Sequence, residues 1–362
     1  MLKSRRGLLA AGISAIVIGS IGVVSTLNAG AEEIPASPAP AVAPAESEEP
    51  LLTPPDKLPW GAEPEELEVG RDGASSKSLK SSGFDAAAPD ATGEELGEVY
   101  APKGQSSSED APEAVPPTPP GLTAKAAKAT EPVFHYNAAY QDAVTQGTYA
   151  NLTIHKPKLD KDDYHTLAEL AVVSGRKVGD QTIEQIVEVG WTVDRTVNKD
   201  DDPHLFVFSW VESKPRCYNG CGFVQYSKNI RPGDTLPLDT TKRFGIEFSA
   251  GAWWIAYDSE WVGYFPISDF PVDFSKTTQV KIFGEVASPT LETCTQMGNG
   301  LPGTDTVGTP ARIGSISLIS GPTVQPTLYT LGNPQYQLVG LSARTFRYGG
   351  PDLTKSPKCA TS

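Results

Sequence analysis

Two carboxylates stand inside runs that otherwise read as β-strands. "QIVEVGWTV" (185–193) carries Glu188, and "QVKIFGEVAS" (279–288) carries Glu285. An unpaired buried carboxylate is costly, so a strand interior holds one only if it faces water or has a partner. Alternation places Val187, Val189, Trp191 and Val193 on one face of the first run, opposite Ile186, Glu188, Gly190 and Thr192. In the second run Val280, Ile282, Gly284 and Val286 oppose Lys281, Phe283, Glu285 and Ala287. Each Glu thus leaves the apolar row for a face of mixed composition. Such a face suits a solvated outer surface or the wall of a groove, and alternation does not choose between them.

Two carboxyls in one groove could hydrolyse an amide. Close like charges cannot both ionise easily, so the pair would hold one proton over an acidic range and titrate as a unit. The ionised member would take a proton from water while the protonated member gives one to the substrate. Activity would peak in acid, and no metal or other cofactor is required. Paired carboxyls also serve glycosidases, but here the two lie about a hundred residues apart, with no Glu-x-Asp-x-x-Glu pattern. A third reading is a carbohydrate-binding or cell-surface module without catalysis, with Trp253 and Trp254 as a platform. No G-x-S-x-G elbow occurs to suggest a serine hydrolase.

The remaining chemistry-bearing residues read as structural. Four cysteines, Cys217, Cys221, Cys294 and Cys359, follow four histidines, His135, His155, His165 and His204, without metal-ligand spacing. An even number of cysteines in an exported chain suggests disulfides. Cys217–Cys221 would close a short loop shaped by Tyr218, and Cys294–Cys359 would tether the C-terminal tail.

The elements that must hold these residues are short, β-branched or aromatic, and divided by Gly, Pro, Asn and Asp turns. They include 148–157, 185–193, 204–212, 221–227, 243–250, 252–266, 278–288 and 313–320. Many short strands at this spacing predict an all-β sandwich or barrel. "DYHTLAELAVVSG" (163–175) is the one stretch with a helical look, although "AELAVVSG" also suits a sheet.

Composition divides the 362 residues into three parts. Residues 1–31 have a basic start (Lys3, Arg5, Arg6), a long uncharged run and "AGA" at 29–31, the pattern of a cleaved export signal; "SRRGLL" also resembles a twin-arginine signal. Left uncleaved, the run is long enough to anchor the chain in a membrane. Residues 32–128 are rich in Pro, Ala, Glu and Ser, and residues 32–130 hold 19 acidic and seven basic side chains. Such a stretch cannot bury enough surface to order itself and reads as a linker or pro-segment, with 56–70 as an island able to dock. Residues 129–362 hold the folded part. The net charge of −14 leaves no basic footprint for nucleic acid.

"IVEVGWTV", "HLFVFSWVESKPRCYNGCGFVQYS", "AWWIAYDSEWVGYFPISDF", "FGEVAS" and "TQMGNG" (295–300) occur in this order. The succession resembles the neprosin domain, a family of secreted glutamic peptidases, over about residues 131–300 and thinning towards 350. The resemblance implies a double-layered antiparallel β-sandwich like the concanavalin-type jelly roll. It implies endopeptidase action on proteins or peptides at acid pH, next to proline in the best-known members, and it places the two dyad glutamates at Glu188 and Glu285. Gln296 and Trp191, close to motif positions, are candidates to line the cleft or orient the dyad, with core burial the competing reading for Trp191. After "TQMGNG" the chain continues "LPGTDTVGTPARIG", where the family has a His-Phe-Pro-like segment.

Overall fold

The computed structural model describes residues 51–67, 70, 132–355 and 359. The expected export signal, and most of the acidic segment, lie outside the described residues. The described chain folds as two stacked antiparallel sheets, as expected from the short, turn-punctuated strands.

The first sheet has seven strands: β1 (Val133–Asp142), β3 (His165–Val178), β4 (Gln181–Val193), β5 (His204–Val211), β6 (Lys214–Pro215), β11 (Gln279–Ser288) and β13 (Thr327–Leu331). Their spatial order is β13-β1-β11-β3-β4-β5-β6. The second has eight: β2 (Gly147–Ile154), β7 (Val224–Gln225), β8 (Thr240–Ser249), β9 (Ala252–Tyr257), β10 (Glu260–Pro266), β12 (Ala311–Leu318), β14 (Gln337–Ser342) and β15 (Thr345–Gly349). Their order is β14-β15-β12-β2-β8-β9-β10-β7. A single helical turn, α1 (Arg195–Asn198), follows β4; the Asp194 side chain caps it by accepting from the Thr196 and Val197 N–H groups.

The stretch that could be read either way, 163–175, is strand: β3 is central in its sheet and pairs along its length with β4. Burial on both faces explains its ambiguous look, since a central strand covered on both sides loses the polar half of its alternation. In contrast, the run 221–227 contributes only the two-residue β7.

Between the sheets lies one apolar core. It takes Leu170, Val187, Val189, Val207 and Ile282 from the first sheet, and Leu152, Phe244, Ile246, Trp253 and Ile255 from the second. Trp191 belongs to this core; its indole N–H donates to the Thr153 carbonyl at 3.0 Å and ties β4 to the facing sheet. The two disulfides form as expected, Cys217–Cys221 and Cys294–Cys359.

Both outer faces are also covered. On the second sheet, the chain's own residues 51–67 lie across β9 and β10. Leu58 is buried among Trp254, Trp261 and Tyr264, the Trp261 indole donates to the Pro55 carbonyl, and the Tyr264 hydroxyl accepts from the Leu52 N–H. Part of the segment expected to be spacer is therefore a docked strap. Gly245 makes room for it, because a Cβ there would come within 2.9 Å of the Pro59 ring.

Candidate functional site

The inner and outer rows expected from alternation are the rows observed. Val187, Val189, Val280 and Ile282 enter the inter-sheet core. Glu188 and Glu285 point to the opposite, outer face of the first sheet, where Tyr136, Leu167, Phe206, Phe208 and Phe283 form a second apolar cluster. This outer face is sealed rather than solvated: Glu188 and Glu285 are both 0% exposed. A buried acid on that face must find its partners within the protein.

Each glutamate has them. Glu188 Oε1 accepts from the Trp210 indole N–H at 3.1 Å, a contact that β5 provides by pairing beside β4. Glu285 Oε1 lies 2.7 Å from Nε2 of His165, and His165 is 1% exposed. Tyr136, directly opposite Glu285 in the β1–β11 register, has its phenol held well above the ordinary range, first by burial and then by the charge of Glu285. Asp194 is also fully buried. Burial pushes its carboxyl up to about 6, against the opposing pull of His165 and of the Val197 and Thr196 N–H groups.

The register shows that the two glutamates are not direct neighbours. β3 runs between their strands, with Glu188 opposite Ala171 and Glu285 opposite Leu167. Between those two positions on β3 stands Glu169, on the same face and 0% exposed. It is opposite Gly190 on one side and Phe283 on the other. Burial first, then the charges of Glu188 and Glu285, hold the Glu169 carboxyl well above the usual carboxylate range, with Lys281 opposing. Lys281 is itself buried, and burial lowers its pKa against the pull of Glu184, Glu188, Asp142 and Glu169. Gly190 of the E-V-G-W motif is required here: a Cβ would stand 2.1 Å from the Ala168 carbonyl and 2.7 Å from the Glu169 Cβ.

Sequence reasoning missed Glu169 and His165. A strand reading of 163–175 would have put His165, Leu167, Glu169 and Ala171 on one face. The helical look of the stretch hid that row, and only the β11-β3-β4 order places it between the two glutamates. The other two candidates sit elsewhere. Trp191 is core, on the opposite side of β4 from Glu188. Gln296 is engaged with the 155–160 loop: its side-chain oxygen accepts from the Lys158 N–H at 3.0 Å, and its own N–H donates to the Lys158 carbonyl. A cavity of about 610 Å³ lies by the strap, walled by Leu67, Ile230, Leu236 and Tyr257, and none of the three glutamates lines it. Among the described residues, no group of three His, Cys, Asp or Glu side chains converges as metal ligands.

A family model described as Neprosin matches residues 162–351, more than half of the chain. Among solved structures, the chain is similar to scytalido-glutamic peptidase bound to a transition-state analogue inhibitor. The identity is 10%, the match covers 60% of this chain and 97% of that one, and the TM-score is 0.37. It is also similar to SCP-B, a member of the eqolisin family of peptidases in complex with the tripeptide Ala-Ile-His. There the identity is 9%, the coverage is again 60% and 97%, and the TM-score is 0.33. No curated protein matches in sequence.

Proposed function

Since the chain belongs to the neprosin family of glutamic peptidases, we propose that it is a secreted endopeptidase that hydrolyses peptide bonds in acid through Glu188 and Glu285. The observation that carries the reading is the placement of both motif glutamates on one outer face of one sheet, each fully buried and each with a polar partner. The two disulfides suit an oxidising compartment, in keeping with export by residues 1–31.

In this mechanism one glutamate is ionised and removes a proton from the attacking water. The other is protonated and supplies the proton that the leaving nitrogen needs. Activity falls as pH rises and the acidic member loses its proton. Substrate reaches the pair only once the sealed face is uncovered. The acidic segment 32–128, apart from the strap that lies on the other sheet, is the candidate pro-segment: protonation of its carboxylates would weaken a charge-based docking and permit self-cleavage. The family's preference for proline beside the scissile bond is carried over as part of this proposal.

The test is a casein or gliadin digest from pH 2 to pH 8 with the wild-type protein, Glu188→Gln and Glu285→Gln. Both variants should keep their fold and lose activity by about 10²–10⁴-fold, with the wild type most active in acid. Full activity in either variant would overturn the mechanism. Mass spectrometry of the fragments checks the proline preference.

A further inference from the structure

Glu169 is a buried acid for which the reaction above has no use, and its surroundings are unusual. Neither of its carboxyl oxygens has a hydrogen-bond partner among the described residues. Two of its near neighbours on the face are glutamates, and the ionised one only accepts. A third carboxylate placed among them is tolerated as the neutral acid, which has an O–H to give and a carbonyl oxygen to receive.

Its position is equally specific. Glu188 lies two residues before Gly190, the β4 partner of Glu169, and Glu285 lies two residues after Phe283, its β11 partner. Glu169 is therefore the diagonal neighbour of both, about 7–8 Å away between Cα atoms, and the two glutamates are about twice that distance from each other. The three acids form a line across three adjacent strands, with Glu169 in the middle. Gly190 keeps the space beside Glu169 clear of a side chain. The other charged or titratable groups acting on this line are Lys281 from β11, Tyr136 from β1, Tyr329 from β13, Tyr218 from the loop after β6, and His165 from β3 itself.

We propose that Glu169 is a proton relay that resets the Glu188–Glu285 pair after each turnover. The proposal rests on the reading of those two residues as the catalytic pair. In one hydrolysis, water gives a proton to the basic glutamate as its oxygen bonds to the carbonyl carbon. The acidic glutamate gives its proton to the nitrogen as the C–N bond breaks. The pair is then left inverted, with the proton on the wrong member. Glu169 accepts that proton on its carbonyl oxygen and releases its own O–H proton to the other glutamate. The pair is restored and Glu169 ends as it began, a neutral acid. The relay works in the same way whichever glutamate is the base.

The experiment uses the full chain and a chromogenic peptide in rapid mixing at the acid optimum. Glu169→Gln keeps shape and neutrality but has no exchangeable acid proton. Its first turnover should stay within about threefold of wild type, while kcat falls at least about tenfold at unchanged KM, so that a burst of product appears. In Glu169→Ala, formate or acetate in the buffer should restore steady-state turnover. An equal loss in first turnover and steady state, without rescue, overturns the relay and leaves a structural role. Wild-type kcat in Glu169→Gln also overturns it. Glu188→Gln and Glu285→Gln run beside these separate the two ideas. If they keep their first turnover, the catalytic pair itself is wrong; if they lose it and Glu169→Gln shows no burst, only the relay fails.

Discussion

The sandwich has two outer faces, and both are buried for opposite reasons. On the second sheet the outer face is aromatic, with Trp254, Trp261 and Tyr264 beneath the strap residue Leu58. On the first sheet the outer face surrounds Glu169, Glu188 and Glu285 with Tyr136, Phe206, Phe208 and Phe283. Covering the aromatic face removes apolar surface from water and stabilises the fold. Covering the acidic face costs stability, because carboxyls held in an apolar setting resist ionisation. Covering one face adds stability, and covering the other costs it.

A matched pair of glycines offers the largest break of this contrast. Gly190 on the acidic face abuts the Ala168 backbone and Glu169, whereas Gly245 on the aromatic face abuts Pro59 and Trp60 of the strap. Gly190→Val should cost about 3 kcal/mol or more through overpacking against backbone and should abolish peptidase activity. Gly245→Val should displace the strap while leaving the glutamates in place and activity intact. Urea melts and casein digests of the two variants read both effects. Equal loss of activity in the two would remove the distinction between the faces.

A smaller effect comes from Leu58→Ala, which leaves a gap in the aromatic face. It should destabilise by about 2–3 kcal/mol with no change in the pH–activity profile. A shifted profile would mean that the strap is coupled to the acidic face.

The smallest is a pH effect on stability from Asp194, buried at the end of β4 with its carboxyl raised to about 6. A raised carboxyl means that the folded state holds its proton more tightly than the unfolded chain. Its stabilising contribution is then full at low pH and is lost as pH rises through about 6. In a Glu285→Gln background, which on the proposed mechanism removes self-digestion, Asp194 should lower stability by about 1 kcal/mol between pH 5 and pH 7. Asp194→Asn, still able to cap α1, should flatten that part of the Tm–pH curve.

Much of the first comparison was legible before folding. The alternation in 186–193 and 280–287 assigned each glutamate to the face away from the core, and the ordered motifs named the pair. The even cysteine number and the expectation of export gave both disulfides. The strap was visible only as an island at 56–70 able to dock, because its partner residues lie some two hundred positions away. Trp191, beside the motif glutamate in sequence, proved to face the other way, as a strand's period of two requires.

The sequence by itself determined which side chains share a strand face, since that depends only on local backbone geometry. It also determined the family, through motifs whose order survives in the linear chain. Tertiary structure decided which strands are neighbours. It brought β11 beside β3, so that His165 meets Glu285 across 120 residues and Glu169 stands between two acids that belong to different strands. It also decided that the acidic face is buried. Burial and strand order come from long-range pairing, and no local period encodes them.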